Sequence, residues 1–101
     1  MTVVKINAIE VPAGAGPELE DRFAQRAHAV DSQRGFLGFQ LLRPVKGEDR
    51  YFVVTHWDSE QSYQSWASGP AKEAHAGNKK PVASGASLLE FEVVMESKPS
   101  V

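Results

Sequence analysis

Two side chains able to take part in chemistry, Trp66 and His75, lie on either side of a Gly69-Pro70 break. On one continuous helix their spacing would place them on opposite faces, because each residue turns the helix by about 100°. Proline suits the first turn of a helix but not its interior, so we expect one helix to end near Gly69 and a second to begin at Pro70. The break therefore allows Trp66 and His75 to face one pocket, with His75 on the last turn before Gly77.

The histidines admit structural as well as chemical roles. Near a helix C-terminus His75 would be stabilised as imidazolium, so a surface helix-capping role is the alternative to metal ligation. His56 shares the face of a predicted strand with Phe52 and Val54, which favours a packed or hydrogen-bonded side chain. His28 falls on the outer face of a predicted helix and is excluded from the site. His75 is therefore the preferred ligand, with His56 second.

Two polar residues, Asn7 and Arg26, fall beside apolar positions. Asn7 shares a strand face with Val3 and Ile9, so its amide needs a partner, either a backbone group or something bound in a cavity. Arg26 lies at the edge of a helical apolar stripe that includes Phe23, from which it extends to water or binds an anionic group. We expect a pocket that suits a flat apolar ligand with acidic edges. Its predicted lining residues are Asn7, Phe23, Arg26, Trp66 and His75, with Lys79 or Lys80 as a further candidate.

Composition restricts the class of chemistry. The 101 residues contain no cysteine, so disulfides, thiolate ligands and a cysteine nucleophile are excluded. The chain has no nucleophile-serine motif and no His-x-x-x-His spacing, and a lone histidine without a carboxylate cluster makes a weak zinc site. The same histidine suffices as an axial ligand of haem, because the porphyrin supplies the other nitrogens.

Charge and hydropathy indicate where the protein acts. The formal net charge is −2, with no run of like charges to indicate nucleic acid. No apolar stretch approaches the ~20 residues that span a bilayer, and the N-terminus has no secretory pattern. We expect a cytoplasmic protein with no membrane or nucleic-acid partner.

The elements that position these residues follow from the spacing of the apolar side chains. Alternating apolar positions predict strands at 2–11, 35–45, 50–58 and 87–97. Helices are predicted at 17–30 and from Asp58 or Ser59 to about Gly69, each with acidic residues in its first turn. The order β-α-β-β-α-β predicts a ferredoxin-like α+β fold, with a four-stranded antiparallel sheet and both helices on one face.

The length fits a single domain, which we assign to residues 1–97, with a flexible tail at 98–101. The sheet face opposite the helices is too apolar to be left in water. We therefore expect a homodimer in which two sheets pack into a barrel-like core.

Long stretches of the chain resemble the haem-degrading monooxygenases of the antibiotic-biosynthesis-monooxygenase (ABM) superfamily, in particular its mycobacterial members. The resemblance covers nearly the whole chain, in VVKINAIEVPAGAGPELE, RAHAV, GFLGFQLLRPVKGE, RYFVVTHW, WASGPAKEAHAG and GASLLEFEVV. The family's asparagine on the first strand, tryptophan on the second helix and following histidine fall on Asn7, Trp66 and His75. Gln25 and the loop 77–80 depart from the mycobacterial pattern, which leaves the number of haems per site open.

The resemblance implies a haem oxygenase of an unusual type, in which haem is both cofactor and substrate. It implies that His75 is the axial ligand of the haem iron, that Asn7 donates a hydrogen bond on the distal side, and that Trp66 presses on the porphyrin and ruffles it. Phe23 would line the haem, and Arg26 would lie near its propionates. Dioxygen and electrons from an unidentified external donor would open the ring to a mycobilin-like tetrapyrrole, with release of iron and no carbon monoxide.

Other functions fit the same fold. A cofactor-free monooxygenase acting on a quinol-type aromatic would use His75 as a base and consume oxygen without a Soret band. A haem-binding module that stores haem would keep a stable spectrum in the presence of reductant and oxygen. A dimeric domain whose cleft is only packing is the simplest alternative.

Overall fold

The computed structural model describes residues 1–26, 32–69 and 85–100. The elements in chain order are β1 (Val3–Glu10), α1 (Gly16–Arg26), β2 (Phe36–Leu42), β3 (Tyr51–Trp57), α2 (Glu60–Ala67) and β4 (Gly85–Glu92). The strands form one antiparallel sheet in the order β2-β3-β1-β4. The predicted ferredoxin-like α+β fold is confirmed. The short helix predicted after Pro70 lies outside the described residues.

The predicted start and end of the last strand are wrong. β4 begins at Gly85, two residues before its predicted start, because Gly85 pairs with Glu10 and the register continues without interruption to Glu92. β4 ends at Glu92; the backbone N–H of Val93 still donates to the carbonyl of Thr2 at 2.9 Å, and the side chains of Val94 and Met95 beyond it are exposed. The pairing with β1, rather than the apolar alternation of the sequence, therefore sets the length of β4.

The start of α2 was predicted as either Asp58 or Ser59, and Ser59 is the cap. Its backbone is extended, with φ −159° and ψ 160°, and its Oγ accepts a hydrogen bond from the backbone N–H of Ser62 at 3.2 Å. Serine in this position satisfies one of the backbone donors that a helix leaves free at its first turn. Glu60 follows in the first turn, where its charge complements the helix dipole.

The helix-facing side of the sheet carries two separate groups of buried side chains. The α1 cluster consists of Ile9, Leu19, Tyr51 and Val53, with Val11, Phe23, Phe39 and Leu41 packed against it. The α2 cluster consists of Val3 and Trp57, with Phe36, Tyr63 and Trp66 packed against it. Each helix therefore covers its own part of one sheet face.

Trp57 forms the centre of the α2 cluster, and its side chain is completely buried. Its ring centroid lies 5.4 Å from that of Trp66, 5.9 Å from Tyr63 and 5.4 Å from Phe36. Its Nε1 donates a hydrogen bond to Oγ1 of Thr55 at 3.0 Å, which removes the cost of burying an unpaired indole N–H. The prediction that Trp57 belongs to the core is confirmed.

Helix α1 is held to the sheet by the carboxylate of Glu20. Tyr51 Oη donates to Oε2 of Glu20 at 2.5 Å, while Nε and Nη2 of Arg43 donate to Oε2 and Oε1 at 2.8 and 2.5 Å. The hydrogen bond from Arg43, followed by that from Tyr51, lowers the pKa of Glu20 to about 2. One carboxylate thus connects α1 to β3 and to Arg43, the residue that follows β2.

The other sheet face carries the alternate side chains of every strand. On β1 and β3 these are Val4, Ile6, Ala8, Phe52, Val54 and His56. At the two edges of this face, Leu42 is 44% exposed and Phe91 is 52% exposed. The structure therefore bears out the apolar character expected of this face.

The anchor at Glu20 predicts a pH dependence of folding. A carboxylate whose pKa is lowered in the folded state adds stability above its unfolded pKa and loses that contribution as the pH falls through the folded pKa. We therefore expect Glu20→Gln to be less stable than the wild type at neutral pH and to lose less stability between about pH 5 and pH 2.

Urea unfolding at several pH values measures this difference. Glu18→Gln is the matched control, since Glu18 lies on the same helix and pairs with Arg22 instead of the sheet. Equal pH profiles for Glu20→Gln and the wild type would show that the anchor does not stabilise the fold.

Candidate functional site

Asn7 lies between the two helices on the helix-facing side of β1. The residues two positions away on the same face are buried, Lys5 beside α2 and Ile9 beneath α1. Asn7 itself is exposed, although β3 and β4 pair with it through Val53 and Leu88. The sheet is therefore uncovered at Asn7, and we call this part of the face the interhelical gap.

The expected burial of the Asn7 amide is wrong, and the alternative of a bound partner stays a prediction. The face was predicted correctly, but α1 and α2 cover its neighbours and leave the side chain open to solvent. Within 1–26, 32–69 and 85–100, no residue hydrogen-bonds to this side chain. An exposed amide can bond to water at little cost, so its donor and acceptor are available to a ligand.

Aromatic side chains from both helices flank the interhelical gap. Phe23 of α1 packs against the α1 cluster and stacks on Phe39, with ring centroids 6.2 Å apart. Trp66 of α2 packs against Trp57 and Tyr63. Both Phe23 and Trp66 are only partly buried. Each helix beside the gap therefore carries a partly buried aromatic side chain, and the sheet between the helices carries the Asn7 amide.

A groove of about 480 Å³ lies beside the gap, between α1 and strands β2 and β3. Its described lining residues are Glu20, Phe23, Ala24, Phe39, Leu41, Arg43 and Tyr51. Phe23 belongs both to this groove and to the wall of the gap, whereas Asn7 and Trp66 are not among the described lining residues. The structure therefore brings Asn7, Phe23 and Trp66 to one face, and of these three only Phe23 is among the described lining residues of the groove.

A buried cation lies on the α2 side of the gap. The side chain of Lys5 is 4% exposed, and its Nζ donates hydrogen bonds of 2.6 Å to both Glu60 and Glu90. The same Nζ lies 4.7 Å from the ring centroid of Tyr63, in cation–π geometry. Lys5 therefore joins the central strand to α2 and to β4.

These partners keep Lys5 charged. Burial alone would lower its pKa, but the hydrogen bonds and charges of Glu60 and Glu90 outweigh burial and raise the pKa above its ordinary value. The hydrogen bond from Lys5 in turn lowers the pKa of Glu60. Lys5 and Glu60 are therefore an ion pair at neutral pH.

The outcome differs among the other residues that were predicted for the site. His56 lies on the sheet face opposite Trp57 and the helices, so its side chain points away from the interhelical gap. Arg26 is the last residue of α1 as described. His75, with Lys79 and Lys80, lies outside the described residues.

Lys5, with its partners Glu60 and Glu90, was missed as a candidate in the sequence. The available signal was a lysine on the face of β1 that also carries Val3 and Ile9, since buried lysines in proteins are almost always paired. The partners are distant in sequence, on α2 and β4, and only the register of β1 with β4 brings Glu90 opposite Lys5.

Neither a metal-binding cluster nor a membrane-spanning helix is found among the described residues. No group of three or more histidine, cysteine, aspartate or glutamate side chains in the described part of the chain could hold a metal ion. Among the helices that the structure describes, none is long and apolar enough to span a membrane.

Comparison with protein families identifies residues 2–77 as a match to the family described as antibiotic biosynthesis monooxygenase. The chain is 75% identical over 97 residues to a haem oxygenase (mycobilin-producing) of Mycobacterium tuberculosis. That alignment covers 95% of this chain and 92% of the mycobacterial protein.

Solved structures show the same architecture. The haem degrader MhuD of Mycobacterium tuberculosis, with two haems bound in its active site, has a TM-score of 0.90 and 74% identity, covering 95% of this chain and 99% of that one. SnoaB of Streptomyces nogalater, a cofactor-independent oxygenase, has a TM-score of 0.75 and 23% identity, covering 94% of this chain and 95% of that one. At 23% identity the second likeness shows the fold alone.

The gap predicts contrasting effects of two substitutions on β1 in the ligand-free protein. Asn7 is exposed, so we expect Asn7→Ala to change the free energy of unfolding by no more than about 0.5 kcal/mol. Ile9 is 8% exposed in the α1 cluster, so Ile9→Ala should cost about 2–5 kcal/mol. Chemical denaturation of both variants and the wild type measures the difference. A loss for Asn7→Ala as large as that for Ile9→Ala would show that the amide is part of the packed core.

Proposed function

The chain belongs to the antibiotic biosynthesis monooxygenase family, and we propose that it is a haem-degrading oxygenase whose substrate binds in the interhelical gap. The observation that carries this proposal is the position of Asn7, an exposed amide on the floor of a gap walled by Phe23 and Trp66. The 75% identity to a mycobilin-producing haem oxygenase, over 95% of the chain, supports haem as the ligand.

The gap suits the shape and polarity of haem. A porphyrin is flat and apolar, so it can bury its faces against aromatic side chains such as Phe23 and Trp66. Leu88, the β4 partner of Asn7, is 47% exposed and adds apolar surface to the floor. The carboxylates of haem need water or a cation, for which Arg26 at the end of α1 is the proposed neighbour.

We assign the axial contact to His75 and the distal contact to Asn7. An imidazole is an adequate axial donor to haem iron, and a redox-active iron for the activation of dioxygen is what bound haem would supply. The Asn7 amide would donate a hydrogen bond above the centre of the ring, since its N–H groups have no partner within the described residues.

Trp66 would set the shape and position of the ring. Its indole is held against Trp57 and Tyr63, so it can press on a flat ligand without being displaced. A rigid indole at one place under the ring favours attack at a particular edge of the ring. We propose that the product is a mycobilin-like tetrapyrrole formed with release of iron and without carbon monoxide, and that O₂ and an external electron donor are consumed.

The protein that carries out this reaction is proposed to be a homodimer. The sheet face opposite the helices is apolar at its centre, and Leu42 and Phe91 at its edges are largely exposed. A second copy would remove this face from water through a symmetric contact. The interhelical gap lies on the other side of the sheet, so both copies would keep an open site.

A haemin titration tests the proposed function. We expect the wild type to give a saturable Soret band, which decays to a bilin-like spectrum when a reductant is added in air with catalase present. His75→Ala should lose productive ligation because the iron loses its axial donor. Asn7→Ala should retain the Soret band and lose turnover, because its amide contributes to the reaction rather than to the fold.

The three outcomes separate the alternatives. A Soret band that persists under reductant and oxygen would indicate a haem carrier. Oxygen consumption with a quinol-type aromatic and without a Soret band would indicate a cofactor-free monooxygenase. Normal turnover by Asn7→Ala would contradict the role given to the amide.

The proposed dimer predicts opposite results for two positions on β4. Phe91 and Leu88 are similarly exposed, at 52% and 47%, but lie on opposite sheet faces. Phe91→Glu should give a monomer in analytical ultracentrifugation, because a charge would be buried in the interface. Leu88→Glu is the matched control and should remain dimeric. A wild-type monomer, or a dimer that survives Phe91→Glu, would show that this face is not the interface.

A further inference from the structure

The sheet-facing side of α2 links Glu60 to Trp66. At about 100° per residue, Glu60, Tyr63 and Trp66 fall within one arc of roughly 120° on the helix surface. Tyr63 lies between the other two, and its ring centroid is 6.2 Å from that of Trp66. A residue that contacts both Glu60 and Tyr63 therefore restricts the position of Trp66.

Lys5 makes contact with both of these residues. Its Nζ lies 2.6 Å from Oε1 of Glu60 and 4.7 Å from the centroid of the Tyr63 ring. Because the lysine side chain is 4% exposed, water cannot readily take the place of these partners. Breaking such a buried pair by removing one member leaves an uncompensated charge, so α2 has little freedom to move away from Lys5.

Lys5 also fixes the position of α2 relative to β1, the strand that carries Asn7. Lys5 and Asn7 are on the same face of β1, and alternate residues of a strand are held at a fixed spacing of about 6.8 Å. Trp66 is held through Tyr63 and Glu60 to Lys5, and Asn7 is held by the backbone of the same strand. The distance between the amide and the indole therefore depends on Lys5, in addition to the packing of Trp66 against Trp57 of β3.

We propose that Lys5, through its contacts with Glu60 and Tyr63, is a positioning residue that fixes Trp66 relative to Asn7 and so determines which edge of the substrate ring is attacked. This role rests on the proposed function, since it concerns the regiochemistry of ring opening. Lys5 acts through α2, and it is Trp66 and Asn7 that would touch the substrate.

The two glutamates that bind Lys5 provide a matched test. Glu60 and Glu90 are each 52% exposed and each lie 2.6 Å from Nζ, but Glu60 is on α2 and Glu90 is on β4. In each of the variants Glu60→Ala and Glu90→Ala, Lys5 therefore keeps one carboxylate partner. Only Glu60→Ala removes the ion pair between Lys5 and α2. Lys5→Met removes both links while keeping an unbranched side chain of similar length.

The first measurement uses the haem-free protein. Trp57 and Trp66 have ring centroids 5.4 Å apart at an interplanar angle of 33°, so their indoles should give a coupled signal in near-ultraviolet circular dichroism, assigned with Trp66→Phe. We expect this signal to be lost or strongly reduced in Lys5→Met and Glu60→Ala and to be unchanged in Glu90→Ala.

The second measurement is the isomer distribution of the ring-opened product at saturating haem. We expect the minor isomers to increase several-fold in Lys5→Met and Glu60→Ala, with the wild-type distribution in Glu90→Ala. A change in stability alone would lower the amount of active protein without changing the distribution. Lys5→Arg, which keeps the charge, should restore the distribution at least in part.

The proposal is overturned if Glu60→Ala and Glu90→Ala are alike in both measurements, or if Lys5→Met gives the wild-type dichroism and isomer distribution. Should Lys5→Met fail to fold, the two alanine variants decide the question, since both change partly exposed side chains. A wild type that does not degrade haem would contradict the proposed function, and the dichroism of the haem-free protein would still decide whether Lys5 positions Trp66.

Discussion

The architecture depends on the pairing of β1 with strands on both of its edges. From Val3 to Ile9 each residue faces a partner on β3 and another on β4, so no side chain of this strand can change faces. As a result, the side chains of Lys5, Asn7 and Ile9 follow one another along the helix-facing side of β1. α2 covers the first, α1 covers the last, and the amide between them stays exposed, so the gap is a consequence of two short helices sharing one sheet face.

Most of the fold could be predicted from the sequence because its signals are local. Alternation located the strands, Ser59 was one of two predicted caps for α2, and the face of Asn7 followed from its neighbours on β1. The resemblance to the ABM superfamily is confirmed by the family match. The predicted end of β4 was wrong because the apolar alternation continues to Met95, whereas β4 ends at Glu92 and the last backbone hydrogen bond along this edge is from Val93 N–H to the carbonyl of Thr2.

Two features could not be predicted from the sequence. One is contacts between residues far apart in the chain, and the other is which part of the sheet the helices cover. Periodicity assigns Asn7 to a face but cannot tell whether a helix lies over it, and in the structure Asn7 is exposed between α1 and α2. In the sequence, Lys5 is an isolated charge on an apolar face. In the structure, α2 and β4 place Glu60 and Glu90 next to it. The two helices are each held by a carboxylate, Glu20 for α1 and Glu60 for α2, so polar contacts of long sequence separation define both walls of the gap.

The most direct test of the central claim is whether a porphyrin sits over Asn7. The chain has two asparagines, Asn7 and Asn78, so selective ¹⁵N-asparagine labelling gives two side-chain amide pairs that Asn7→Asp assigns. Titration with gallium protoporphyrin IX, which is not turned over, should produce a saturable ring-current shift of the Asn7 amide protons. Saturable porphyrin binding that leaves the Asn7 resonances unmoved would place the ligand elsewhere and contradict the account.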